Sequence, residues 1–226
     1  MKLHIFQNSE IEKPGAILDW AKSNKVEIQI VEVFKGQALP DTQDVEATIV
    51  LGAPISANEP NLAWLNEQRD FLKLLISNNK KILGICLGAQ ILVQAQGGTI
   101  SKGRASEVGW HLVDFRFSQC RGHLNTLVNE KIEIFQFHSE VFSTVEKSVN
   151  FGSSRLSENQ GLEINQSTLA FAGHIEITEA LVTDYLQNFK KYLNKNDFDH
   201  LSLNLEERIR LSQQLLFKVL SAWSGI

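Results

Sequence analysis

The sequence predicts an α/β protein: a mostly parallel open sheet with helices on both faces. Three observations carry that reading. Short runs at residues 3–7, 26–33, 47–51 and 81–85 are apolar or alternating, as strands are. Amphipathic stretches at residues 14–23 and 62–77 lie between them. The resulting βαβ rhythm needs crossover connections, so the strands run parallel and ligands bind at their carboxyl ends. The third observation is Gly84-Ile85-Cys86-Leu87-Gly88, which places a cysteine at such an end.

The elements follow in order. Residues 3–7 read as a strand and residues 14–23 as a helix, with Pro14 in the first turn where its missing N–H costs little. Residues 26–33 alternate apolar and charged side chains, a half-exposed strand, whereas residues 47–51 are fully apolar. A helix over 62–77 leads to the strand 81–85, and a helix-like stretch, 91–96, follows Cys86. Further strands are expected at 108–117, 132–137, 151–154 and 168–172. Two helices close the chain, 181–193 and 205–223, the second capped by Asn204. No linker or repeat divides the sequence. We therefore expect one domain over residues 1–226, with its core up to about residue 180 and a helical part over 179–226.

Composition narrows the function classes. The 226 residues are 43% hydrophobic and 21% charged, ordinary for a globular protein with a large core. A net charge of −4 gives no reason to expect nucleic acid or an anionic membrane as a partner. No run reaches the length of a membrane span, and residues 1–6 do not form a signal peptide. Two cysteines, Cys86 and Cys120, point to a reducing compartment, so a cytoplasmic location is expected. No spacing of His, Cys, Asp or Glu suggests a metal, and no cofactor motif is apparent.

The segment around Cys86 reads as a nucleophile elbow, the strand–turn–helix that lifts a reactive side chain clear of a sheet. Small residues on both sides suit the close backbone contacts of such a turn. A helix N-terminus aimed at the sulfur is expected to favour thiolate over thiol. A thiolate needs a base, and the base needs an orienting carboxylate. Two places offer His-x-Glu, at His138-Ser139-Glu140 and His174-Ile175-Glu176. In a strand, residues i and i+2 share a face, so spacing alone leaves both open.

The wider pattern resembles a known family. Gly84-Ile85-Cys86-Leu87-Gly88-Ala89-Gln90 is similar to the G-I-C-x-G-x-Q signature of class I glutamine amidotransferases. Leu51-Gly52-Ala53-Pro54-Ile55-Ser56 resembles that family's Gly-Gly-Pro-x-Ser loop. Gly97-Gly98 and Glu107-Val108-Gly109-Trp110 resemble blocks of the branch similar to the amidotransferase domain of GMP synthase. The likeness runs from about Pro14 to Thr178 and implies a flavodoxin-like class I glutamine amidotransferase fold.

The resemblance also implies roles. Gly173-His174-Ile175-Glu176 stands where the family has its catalytic His-Pro-Glu, whereas His138 falls in a separate upstream block. Cys86 would then be the nucleophile, His174 the base and Glu176 its orienting carboxylate. The backbone N–H groups of Ala53 and Leu87 would form the oxyanion hole, and Gly52 and Gln90 would help bind the substrate. Two departures stand out: Ala53 replaces a glycine, and Ile175 replaces the proline. The implied reaction converts glutamine to glutamate and ammonia through a cysteine thioester, with a synthase partner to accept the ammonia. The alternatives are a stand-alone γ-glutamyl peptidase or hydrolase, and a catalytically silent binding protein of the same fold.

Overall fold

The structure, a computed structural model, describes residues 1–190, 193 and 201–226. Nine strands form one sheet: β1 (Lys2–Gln7), β2 (Glu27–Glu32), β3 (Ala47–Val50), β4 (Lys81–Ile85), β5 (Ile100–Phe115), β6 (Glu130–Phe142), β7 (Val149–Ser154), β8 (Gly161–Asn165) and β9 (Thr168–Phe171). Their order is β2-β1-β3-β4-β9-β8-β7-β5-β6. From β2 to β9 the pairs are parallel; from β9 outward they are antiparallel. Five helices are described: α1 (Ile17–Ser23), α2 (Ala63–Ser77), α3 (Leu87–Ala95), α4 (Glu179–Phe189) and α5 (Leu205–Ser224).

Strand alternation sorts the core into two layers. Leu3 and Ile5 of β1, Ile49 of β3, and Leu83 and Ile85 of β4 face one side, where they meet Trp20 of α1 and Leu216, Val219 and Trp223 of α5. Phe6, Val50 and Ile82 face the other side, against Leu65 and Leu72 of α2 and Leu87 and Ile91 of α3. A third cluster joins Tyr185 and Leu181 of α4 to Trp110 of β5 and Phe135 of β6. The helix α5 is tied into the first layer by hydrogen bonds, Trp20 Nε1–H to Ser221 Oγ at 3.1 Å and Trp223 Nε1–H to Ser167 O at 3.0 Å.

The α/β architecture and most elements match expectation, with differences that have local causes. The first helix begins at Ile17, not Pro14, because Gly15 adopts φ +53° and Ala16 donates its N–H to Glu176 O at 2.9 Å. The strand β8 was not anticipated. Its Gly161-Leu162-Glu163-Ile164-Asn165 is short and carries a charge, yet Glu163 is fully buried. That carboxylate accepts the backbone N–H groups of Arg121 and Gly122 and the Arg121 Nε–H. Asn204 is not a side-chain cap: its backbone is left-handed (φ 52°), and only its carbonyl engages the helix, through Arg208 N–H at 3.1 Å. The expected helix 181–193 is seen to residue 189, and its end lies partly outside the described residues. Among the described residues no helix is long and apolar enough to cross a membrane.

Candidate functional site

The carboxyl ends of β1, β3, β4 and β9, four neighbours in the parallel part of the sheet, deliver the site. After β4 the chain turns at Cys86, whose φ of 51° and ψ of −113° are rarely adopted by a residue with a side chain. The helix α3 starts at the next residue. Its close packing explains the flanking glycines. A Cβ at Gly84 would lie 2.7 Å from Ala89 N, and one at Gly88 would overlap the Val50 carbonyl of β3. Surrounding hydrogen bonds hold the turn, with Cys86 N–H donating to Phe171 O at 2.9 Å and Gln90 N–H donating to Cys86 O at 3.1 Å.

His174 follows β9. Its N–H donates to Phe135 O at 2.8 Å, a bridge to β6 that fixes the backbone. The imidazole is buried, with Nδ1 2.8 Å from Glu176 Oε1. That contact leaves Nε2 3.2 Å from the Tyr185 hydroxyl, and the imidazole lies within 4.8 Å of Cys86 Sγ. Between the two partners of His-x-Glu, Ile175 inserts into the core.

Burial and charge act in opposite senses here. Burial alone would lower His174, but the Glu176 carboxylate and then the Cys86 sulfur outweigh it and hold the imidazole well above its ordinary value. Burial raises Cys86, and the attraction of His174 offsets it only in part. Desolvation of the sulfur thus opposes the pull toward thiolate expected of the helix N-terminus. The second cysteine, Cys120, is also free and buried, and burial beside Glu163 pushes it up to about 12.

Cys86 opens into a cleft of about 690 Å³ whose walls include Ala53, Leu87, Gln90, Ser56 and Phe189. Of the sequence-predicted residues, Ala53, Leu87 and Gln90 thus share one cleft with Cys86, while His174 and Glu176 sit behind it. The N–H of Leu87 is the first of α3, a position with no intrahelical acceptor. Gln90 Oε1 is buried without a partner. Gly52 lies against Cys86, where a Cβ would come 3.1 Å from the cysteine Cβ. His138 also lines the cleft, but it is satisfied by Gln136 Oε1 at 3.0 Å, and burial pushes it down to about 4. Its neighbour Glu140 accepts a hydrogen bond from Ser56 Oγ at 2.7 Å.

Two residues of the site were missed in the sequence. Glu12, in the loop after β1, has its carboxyl within 4.8 Å of both Cys86 Sγ and His174. Burial raises it to about 7. Tyr185 of α4 touches His174, and burial, followed by the nearby Glu12, holds its hydroxyl well above the usual range, so it stays neutral. Neither carries a local motif. Each reaches the site only through the tertiary packing of the β1 loop and α4.

Comparisons with known proteins bear on the family and the fold. A family model described as glutamine amidotransferase class-I matches residues 15–174. The chain is 22% identical over 199 residues to the glutamine amidotransferase-like protein YfeJ of Salmonella typhimurium, covering 85% of this chain and 83% of that one. It is 24% identical over 177 residues to gamma-glutamyl peptidase 4 of Arabidopsis thaliana, covering 70% of each. Among solved structures, a glutamine amidotransferase from Methylobacillus flagellatus superposes with a TM-score of 0.91 at 22% identity, over 99% of this chain and 94% of that one. At that identity the superposition speaks for the fold.

Proposed function

The chain belongs to the class I glutamine amidotransferase family, and from that premise we propose that it hydrolyses the side-chain amide of glutamine to glutamate and ammonia through a thioester on Cys86. The observation that carries the reading is the alignment of three groups: Cys86 at the elbow, His174 within reach of its sulfur, and Glu176 2.8 Å from the other ring nitrogen.

In this mechanism His174 Nε2 takes the thiol proton as Sγ attacks the amide carbon. The tetrahedral oxyanion is received by the N–H groups of Leu87 and Ala53, donors of a kind worth about 3–4 kcal/mol each. His174 returns the proton to the departing nitrogen, ammonia leaves, and a γ-glutamyl thioester remains. The same imidazole then activates water, which releases glutamate and restores the thiol. Glu176 holds the ring tautomer and stabilises the imidazolium. Gly52 and Gln90 bound the glutamyl end, with the orphan Gln90 Oε1 as acceptor for a substrate N–H. In a synthase-coupled setting, as in the branch similar to GMP synthase, the ammonia passes to an acceptor enzyme.

A second reading, γ-glutamyl hydrolysis, has a specific observation in its favour. The cleft is far larger than a glutamine side chain needs, and Ile55, Val108, Phe137 and Phe189 give it an apolar wall. That wall suits a γ-glutamyl amide whose leaving amine carries an apolar group. The deciding experiment is glutamate release from glutamine and from a panel of γ-glutamyl peptides, by the wild type, Cys86→Ala and His174→Ala. Loss of turnover in both variants supports the chemistry, and the preferred substrate selects between the readings. Full turnover in either variant would reject the mechanism.

A further inference from the structure

Glu12 has no part in the mechanism above, yet it is buried at the heart of the site. Its Oε2 has no hydrogen-bond partner. The carboxyl occupies the space that a Cβ at Gly52 would fill, so it is wedged between the Gly52 loop and the Cys86 turn. The loop that carries it is fixed from several sides. Asn8 Nδ2–H donates to Leu51 O at 2.9 Å, Gln68 Nε2–H donates to Asn8 Oδ1 at 2.9 Å, and Glu12 N–H donates to Ser9 Oγ at 3.0 Å. The groups that face the carboxyl are His174, Glu176, Tyr185 and Cys86. Two acids therefore flank one imidazole. Glu176 holds Nδ1, while the Glu12 carboxyl lies within 4.8 Å of both Cys86 Sγ and the imidazole.

We propose that Glu12 is a positioning residue whose neutral carboxyl permits the Cys86 thiolate–His174 imidazolium pair and whose ionised form suppresses it. The inference rests on the Cys86–His174 pair of the proposed function. With Glu12 neutral, transfer of the proton from Sγ to Nε2 leaves one imidazolium between one thiolate and one carboxylate, Glu176. With Glu12 ionised, its proton released to solvent, a second negative charge stands beside the sulfur. Its repulsion of the thiolate then outweighs its attraction for the imidazolium in a water-poor site, and the proton stays on sulfur. The Tyr185 hydroxyl, neutral and on Nε2, faces the Glu12 carboxyl as well.

The test uses the full chain and needs no turnover, so it stands apart from any failure of the hydrolytic reading. The rate of Cys86 alkylation by iodoacetamide is followed from about pH 5 to about pH 9 in wild type and Glu12→Gln, which keeps shape and removes the charge. Peptide mass spectrometry separates Cys86 from Cys120. The two proteins should react alike near pH 5, and the variant should react about tenfold faster at pH 8, the effect of roughly one unit in the thiol. Should the variant misfold, wild type alone still decides: the infrared carbonyl band of a neutral carboxylic acid should vanish on titration through neutrality. Coincident alkylation profiles, or no neutral-acid band at pH 6, would overturn the proposal and leave Glu12 a packing residue.

Discussion

Gly88, two residues after Cys86, packs directly on the carbonyl of Val50, so closely that a Cβ there would overlap it. The elbow is thereby pinned to the neighbouring strand, and the position of the sulfur depends on a residue that does no chemistry. Replacing Gly88 by alanine should force α3 away from β3. Thermal or urea unfolding should show a loss of about 1–3 kcal/mol, the usual cost of overpacking. Glutaminase or γ-glutamyl hydrolase activity should fall more steeply than stability, because the turn itself moves. A variant with wild-type stability would show that the strand yields easily.

Glu176→Gln leaves the size of the side chain unchanged and removes the charge behind His174. The imidazolium then loses the carboxylate that supports it, and the tautomer is no longer fixed. We expect kcat to drop by about 10²–10⁴ with a small change in KM, measured by glutamate release. A matching rise in KM would instead indicate damage to binding.

His138 supplies a pH-dependent stability of definite sign. Burial, then the charge of His174, pushes it down from 6.5 to about 4, so the folded protein resists a proton that the unfolded chain accepts. The stabilisation is complete above pH 6.5 and is lost as pH falls toward 4. Across that window wild type should lose on the order of 2–3 kcal/mol that His138→Gln does not lose. Urea melts of both proteins at the two ends of the window check this, and parallel losses would contradict it.

The apolar wall of the cleft gives a specificity prediction. Phe189 lines the cleft and packs 4.7 Å from the ring of Phe137. Phe189→Ala should raise KM for γ-glutamyl amides with an apolar amine by about tenfold, and leave KM for glutamine nearly unchanged. Steady-state kinetics on the two substrate types decides it. Equal effects on both would mean that the wall shapes the whole site rather than the leaving-group side.

Much of this was legible in the sequence, for identifiable reasons. Parallel strands buried on both faces announce themselves as apolar runs, and the elbow is encoded by adjacent residues, Gly84, Cys86 and Gly88. His174 and Glu176 sit two apart, a local pattern that His138 and Glu140 share, so only the family resemblance separates them. What lay hidden is what depends on distant segments meeting. Glu12 looks like any loop acid until the β1 loop folds over Gly52. Tyr185 is one aromatic among several on α4, and Glu163 disguises β8 because its neutralising N–H groups come from residues 121 and 122. The environment of the Cys86 sulfur is hidden for a related reason. A helix N-terminus can be read locally, but the desolvation that opposes it is set by the whole fold.

The central claim is that Cys86 forms a covalent γ-glutamyl thioester. The most direct measurement is the mass of the Cys86-containing peptide after acid quench during steady-state turnover of whichever substrate is preferred. The account predicts a γ-glutamyl adduct on Cys86, absent from Cys86→Ala, and absent from wild type once substrate is exhausted. Turnover with an unmodified Cys86 peptide, undiminished in Cys86→Ala, would contradict it.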